Sequence, residues 1–238
     1  YRGTASPTRA PVVFAAFVPF WPQLGGGPIL RADEVIPELE KRPVFEWANV
    51  GEGVRRILNG LFKKLVIADN LSVLVDEAYG LNANNLTALD VWTATILFGF
   101  QIYFDFAGYS DIAIGSSRLL GINFPDNFNW PYLATSPREF WKRWHISLSS
   151  WIRDYLYLPL LGQTVRGALH PVTQETNRSQ GGLEINIDPA MTGPQTKSPR
   201  NPTPALFATW LIMGLWHGAG WNFALWGLYH AAYIYLYR

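Results

Sequence analysis

Apolar positions run almost unbroken from Pro204 to Tyr237, a stretch without Asp, Glu, Lys or Arg. Gly218 and Gly220 divide it and predict two helices, with His217 at the end of the first. A second apolar run, "TALDVWTATILFGFQIYF" at 87–104, holds one charge, Asp90 near its start, and predicts a transmembrane helix. It continues into "DFAGYSDIAIGSSRLLG", where Asp105 and Asp111 interrupt an apolar pattern. Over 51–78, Val54, Ile57, Leu58, Leu61, Leu65, Ala68 and Leu71 recur at helical spacing. Arg55, Arg56, Lys63 and Lys64 break that pattern, which suits an amphipathic interfacial helix or one rooted by its basic residues.

The remaining segments are less regular. Residues 11–30, "PVVFAAFVPFWPQLGGGPIL", are apolar, but four prolines and three consecutive glycines exclude a straight span. Irregular backbone at membrane depth must be covered by protein or a wet cavity, so a short helix leading into a re-entrant loop is expected; a surface turn after a helix end is the other reading. Residues 31–50 are charged and turn-like, and 121–137 form a Pro/Asn-rich loop. Ser136 as N-cap, Pro137 at the first position and Glu139 in the first turn predict a helix running through "REFWKRWHISLSSWIRDYLYLPL". Residues 162–204, rich in Pro, Gly and small polar residues, read as a flexible extramembrane loop. The expected fold is therefore all-α, a multi-pass transmembrane helical bundle with re-entrant and interfacial segments. It forms a single membrane-embedded domain over 1–238, with the polar loop at about 162–204.

Composition narrows the function classes. The 238 residues are 49% hydrophobic with a formal charge of +1, which gives no basic footprint for nucleic acid. A mean hydropathy of +0.04 averages very apolar stretches with a very polar one. Eleven Trp and eleven Tyr suit a bilayer interface. Zero Cys excludes disulfides, a thiolate nucleophile and Cys-ligated metal. The four histidines are too far apart in sequence for an H-E-x-x-H-type pair, and no metal site is expected. "GSSRL" at 115–119 is not a nucleophile elbow, and the glycine runs complete neither a phosphate loop nor a dinucleotide fingerprint.

Ionisable groups in lipid cost roughly 2.5–3.5 kcal/mol at a helix centre. A neutral imidazole costs less but still wants hydrogen-bond partners. His217 in "GLWHGAGWNF" is thus either a proton-transfer group or a packing donor to a neighbouring carbonyl. His145 falls in an apolar band with Trp141, Trp144, Leu148, Trp151, Ile152 and Tyr155, one turn after Trp141 and one before Ser149. The pair invites a shared site, against an interfacial His–Trp cluster. His170 lies in the polar loop and reads as solvated, and His230 as a helix-packing residue. Acyl transfer needs only a base, an orienting group and oxyanion donors, which this sequence can supply.

"YFDFAGYSDIAIGSSRLLGINFPDNFNWPYLATSPREFWKRWHISLSSWIRDYLYLPL", followed by "GLWHGAGWNFALWGLYH", resembles the membrane-bound O-acyltransferase family. The similarity is strongest to its alginate O-acetyltransferase-type branch, related to the D-alanyl transfer proteins of teichoic acid synthesis, and "PFWPQLGGGPILR" resembles that branch too. It covers about 17–161 and 206–237. The resemblance implies a multi-spanning bacterial inner-membrane enzyme with a tunnel where donor and acceptor meet from opposite sides. His217 falls on the family's near-invariant histidine and would be the general base; His145, at the second motif position, would orient groups or stabilise charge. Asp105, Tyr109, Asp111, Asn127, Arg138, Trp141, Arg143, Ser147 and Trp216 match surrounding motif positions and would line the tunnel.

The implied donor is acetyl-CoA or another acyl thioester, with no tightly bound cofactor. The implied acceptor is a polysaccharide hydroxyl or a periplasmic acetyltransferase partner, with the lipid bilayer as surroundings. D-alanyl or other acyl transfer on the same fold, or a non-enzymatic scaffold or transporter, are the competing classes. Two departures stand out. "LGQTVRGALHPVTQET" replaces a short "GGNR"-like turn, and the family's first several helices have no counterpart, as expected for a piece of a longer membrane protein.

Overall fold

The computed structural model describes residues 8, 10–41, 45–163 and 201–237, so most of the expected polar loop and His170 lie outside the described residues. Among the described residues all regular structure is helical. The chain divides into two compact units, one comprising Thr8–Asn127 and the other built on Phe128–Arg238.

The first unit opens with α1 (Pro11–Phe17), whose first position is a proline, and a single 3-10 turn at Trp21–Gln23. The short helix followed by irregular Pro/Gly backbone follows the sequence pattern. Pro22 and Pro28 are fully buried there. Next comes α2 (Ala32–Glu40), in a stretch expected to be a turn-like connection. It forms because the Glu34 carboxylate accepts the Arg31 N–H at 2.8 Å, closing the first turn. Val35 is then buried with Ile114, Ile122 and Phe124, under Phe17, Phe20, Leu30 and Leu39.

α3 (Trp47–Leu61), a π-helical stretch (Phe62–Ala68) and α4 (Asp69–Gly80) follow one another directly and pack on α5 (Ala88–Leu119). Thr87 caps α5, accepting the Asp90 N–H at 3.3 Å while Asp90 accepts the Thr87 N–H at 2.9 Å. The apolar stripe of α3 does not face α5. Val54, Leu58, Leu61 and Leu65 of the apolar stripe are exposed, and Asn49, Gly53 and Gly60 are buried. The reason is steric. A Cβ on Gly60 would sit 2.5 Å from the Gly108 carbonyl oxygen, and one on Gly108 would sit 2.8 Å from that of Gly60. Gly53 and Gly115 repeat the reciprocal contact one heptad away, at 2.8 and 2.7 Å. Backbones this close leave no room for leucines, which turn outward.

Arg56 of α3 and Lys63 just beyond it turn inward with the glycines, whereas Arg55 pairs with Glu52 on the outside. Asp111 of α5, 4% exposed, accepts from Arg56 Nε at 2.7 Å, Lys63 Nζ at 2.6 Å and Asn59 Nδ2 at 3.2 Å. Buried charge persists when its lone pairs are met in this way.

In the second unit, Pro131–Leu133 forms a 3-10 turn ahead of α6 (Pro137–Arg143) and α7 (Ile146–Ile152). A π-helical stretch (Arg153–Tyr157) and the single turn α8 (Leu158–Leu160) extend α7. α9 (Pro202–His217) and α10 (Trp221–Leu236) form a hairpin that breaks at Gly218–Gly220, where the sequence places the break. Its core is Leu206, Trp210, Met213, Ala231 and Ile234, with Trp141, Ile152 and Trp226 against it. At 16 residues, α9 and α10 each rise about 24 Å, short of a hydrocarbon core of about 30 Å. In α5, Gln101, Asp105 and Asp111 punctuate the apolar run that begins at 87. Among the described residues no helix is long and apolar enough to cross a membrane.

The glycine contacts make a paired prediction. Gly60→Val, which must push α3 off α5, should cost about 1–3 kcal/mol. Gly51→Ala, with open space around the new methyl, should stabilise α3 by about 0.5–1 kcal/mol. Thermal unfolding of both variants in detergent checks the contrast; equal shifts would contradict the packing.

Candidate functional site

α6 starts as the sequence predicts. Ser136 Oγ accepts the Glu139 N–H at 3.1 Å, and Pro137 occupies the first turn, where its missing N–H costs nothing. The Glu139 carboxylate turns back to accept the Thr135 N–H and hydroxyl, both at 2.8 Å. It also accepts Arg143 Nη2 at 2.6 Å, while Arg143 Nη1 donates to the Asn129 carbonyl at 3.2 Å. Arg143 therefore ties the end of α6 to the loop before it.

The helix expected to continue through His145 stops there. Trp144 is extended, and His145 has φ 42° and ψ 58°, the left-handed region. A non-glycine residue pays roughly 1–3 kcal/mol for that conformation. His145 is thus the N-cap residue of α7, not a member of a continuous band one turn after Trp141. Its carbonyl still accepts the Ser149 N–H at 2.9 Å, starting the new helix. Its ring stacks on Phe128 with centroids 6.3 Å apart, and Nδ1 lies 3.5 Å from Ser147 Oγ.

His217 closes α9. Its Nδ1 lies 2.8 Å from the Met213 carbonyl oxygen, one turn back. A carbonyl only accepts, so Nδ1 carries hydrogen, and in the neutral ring Nε2 holds the lone pair. The ring is held edge-on by Trp216 at 4.9 Å and tilted against Trp226 at 5.1 Å. His217 is exposed, and lies within electrostatic range of His145. A basic nitrogen with its tautomer set by a backbone carbonyl can take and return a proton. Gly218 makes room for the Phe223 ring, which a Cβ there would strike.

The other expected residues separate by unit. With the two histidines stand Trp141, Arg143, Ser147, Trp216 and Arg138, the last exposed on α6. Trp141 meets Trp210 at 4.7 Å and the His230 ring at 5.1 Å. His230 lies among the rings of Trp141, Trp210 and Trp226. Ser147 is buried. In the first unit, Lys64 Nζ bridges Asp105 at 2.6 Å and Asp69 at 2.8 Å. Tyr109 donates to the Leu24 carbonyl at 3.1 Å with its ring over Gly25 and Gly26, and Asp111 holds the cluster already described. Asn127, 1% exposed, donates to Ser110 Oγ at 3.1 Å.

Sequence reasoning passed over Met213, whose carbonyl sets the His217 tautomer, and Thr209, one turn further back. The spacing 209, 213, 217 along one helix face was the available signal. Among the described residues no group of His, Asp and Glu could hold a metal ion.

Comparison with known proteins gives one consistent set. A family model described as MBOAT, membrane-bound O-acyltransferase family, matches residues 10–172. The chain is 38% identical over 234 residues to a probable alginate O-acetylase of Azotobacter vinelandii, covering 98% of this chain and 40% of that protein. It is 36% identical over 227 residues to a peptidoglycan O-acetyltransferase of Helicobacter pylori, covering 94% and 37%. It is 30% identical over 222 residues to a teichoic acid D-alanyltransferase of Streptococcus thermophilus, covering 91% and 48%. The chain spans less than half the length of each of these relatives.

The Glu139 cap carries a pH signature. Hydrogen bonds from the Thr135 backbone and hydroxyl, then from Arg143, hold its carboxyl at about 2, below the ordinary 4.5. A depressed carboxyl stabilises the fold above its unfolded value and loses that contribution as pH falls through the folded one. Between about pH 4.5 and pH 2, the α6 region should therefore loosen in the parent protein. Glu139→Gln should remove most of that dependence, as followed by tryptophan fluorescence in an acid titration; an unchanged titration would contradict the cap.

Proposed function

This chain belongs to the membrane-bound O-acyltransferase family, and on that premise we propose that it carries the catalytic histidines of an O-acyltransferase. The reaction is transfer of an acyl group, acetyl in the first instance, from a thioester such as acetyl-CoA. The acceptor is a hydroxyl of a cell-surface polysaccharide or of a periplasmic partner protein. The relatives named for alginate and peptidoglycan O-acetylation support a polysaccharide as ultimate acceptor.

The observation that carries the reading is the His217 Nδ1 contact with the Met213 carbonyl. It leaves Nε2 as the basic nitrogen at an exposed helix end. In the proposed step Nε2 takes the proton of the acceptor hydroxyl as its oxygen attacks the thioester carbonyl. Collapse of the tetrahedral intermediate breaks the C–S bond, and the imidazolium returns the proton to the departing thiolate. His145, within electrostatic range, orients the reacting groups and balances charge as the oxyanion forms. Arg138, Arg143, Trp141, Ser147 and Trp216 contribute walls of the same site, and Asp105, Tyr109, Asp111 and Asn127 shape the first unit.

The location that goes with this reading is a bacterial inner membrane, as a multi-pass protein with re-entrant and interfacial segments. Its support is the family and the outward apolar stripe of α3. Transfer of D-alanine is the second reading, favoured by the D-alanyltransferase relative, whose identity is lower than that of the O-acetylating ones.

In the full-length protein, His217→Ala should lower acetyl transfer from labelled donor by about 10²–10⁴-fold while the protein still accumulates in membranes. His145→Ala should give a clear, smaller loss. Near-normal transfer by His217→Gln would overturn the base assignment and favour a scaffold.

A further inference from the structure

His145 sits in left-handed backbone, φ 42° and ψ 58°, with no glycine beside it. A residue with a Cβ resists that conformation, so its surroundings must hold it. They do so from the loop before α6. The Asn129 N–H donates to the Arg143 carbonyl at 2.9 Å, and Arg143 Nη1 donates back to the Asn129 carbonyl at 3.2 Å. Glu139 grips the same guanidinium at Nε, 3.0 Å, and at Nη2, 2.6 Å. All three Arg143 nitrogens are therefore spent on the chain itself.

This two-way pairing runs residues 128–129 beside residues 143–145, and it delivers one ring to the break. Phe128, half-buried, meets Trp144 edge-on with centroids 5.2 Å apart. It lies over the His145 imidazole at 6.3 Å, the two planes 29° apart. Trp144 is in turn stacked on Phe140 at 5.6 Å, and its carbonyl, at the break, accepts Ser149 Oγ at 3.2 Å. Backbone dihedrals fix where the His145 Cβ points, but the plane of an imidazole needs a contact of its own. A flat ring supplies one, because aromatic pairs have preferred relative orientations. An aliphatic side chain of similar size fills the same space without defining a plane.

We propose that Phe128 is a positioning residue for acyl transfer, holding the plane of the His145 imidazole and acting on the reaction only through it, a role that rests on the acyl-transfer reading. Arg143 serves the same end through the backbone. Neither side chain needs to touch substrate. A misaimed His145 loses its grip on the charge that develops as the thioester carbonyl is attacked, so turnover falls while donor binding holds.

Full-length protein in membranes, supplied with labelled acetyl-CoA, tests this with a double-mutant cycle. Phe128→Leu keeps the apolar volume and removes the plane; it should lower kcat about tenfold with KM within about twofold. Phe128→Tyr, which keeps the ring, should restore the parent value. In a His145→Ala background, Phe128→Leu should change kcat by less than about twofold, because the two side chains act as one unit. A residue that served folding alone would cost the same factor in both backgrounds. Where Phe128→Leu does not accumulate, Arg143→Lys, which loses the fork that reaches Asn129, should show the same dependence on His145. Equal losses in the two backgrounds, or no loss in the parent, would overturn the positioning role alone. Absence of transfer by the parent protein, or a parent-like rate in His145→Ala, would overturn the acyl-transfer reading of these histidines instead.

Discussion

Backbone set directly against backbone at paired glycines is the contact on which both units are built. In the first unit Gly53 and Gly60 face Gly115 and Gly108. In the second, a Cβ on Gly214 would strike the Phe223 carbonyl and one on Gly227 the Trp210 carbonyl. Helices this close gain dispersion along their whole contact and need no interdigitating side chains. Larger residues are then expelled to the outside of the first unit, where Leu58 and Leu65 are exposed. In the second unit the same closeness gathers Trp210, Trp226 and His230, and fixes the α9 face that carries Thr209, Met213 and His217.

This contact also explains why the α3 stripe faces away from α5. A period of 3.6 identifies a helix, but it says which face is inward only if the interior is apolar. When the interior is glycine and paired charge, the same stripe marks the outside. Gly53 and Gly60, seven residues apart beside Arg56 and Lys63, were the sign of this arrangement. The helix ends were more legible because their causes are local. Ser136–Pro137–Glu139 starts α6, and Gly218–Gly220 ends α9, through atoms within a few residues. α2 was missed because its start depends on Glu34 reaching the Arg31 N–H, in a segment whose charge suggested solvent.

His145 was the least legible residue. "REFWKRWHISLSSW" has helical spacing throughout and neither glycine nor proline at the break. The left-handed turn is held from outside the segment: Asn129 accepts Arg143 Nη1 on its carbonyl and donates its N–H to the Arg143 carbonyl at 2.9 Å. Strain imposed on a polar side chain by its surroundings is a feature of functional positions. His217 contrasts with it. It sits in relaxed helical backbone, and its tautomer comes from the carbonyl one turn back. Under the proposed chemistry the two imidazoles differ accordingly: one has its proton inventory fixed, the other its direction.

The motif strings that resemble the family therefore mix two kinds of constraint. Asp111 accepts from three donors, so a substrate reaching it must first displace Arg56, Lys63 or Asn59. Removing the carboxylate would take the ion-pair partner from part-buried Lys63 and leave Arg56 with Asp126 alone, a larger penalty than losing an exposed pair. A residue can hold a motif position for that reason alone. His217 has no such obligation: its polar contact among the described residues is to a carbonyl that many donors could serve, and under the proposed chemistry its second nitrogen is the base. That asymmetry, between side chains whose polar atoms are consumed by the fold and one whose polar atom is not, separates scaffold from site within a single string of matching residues.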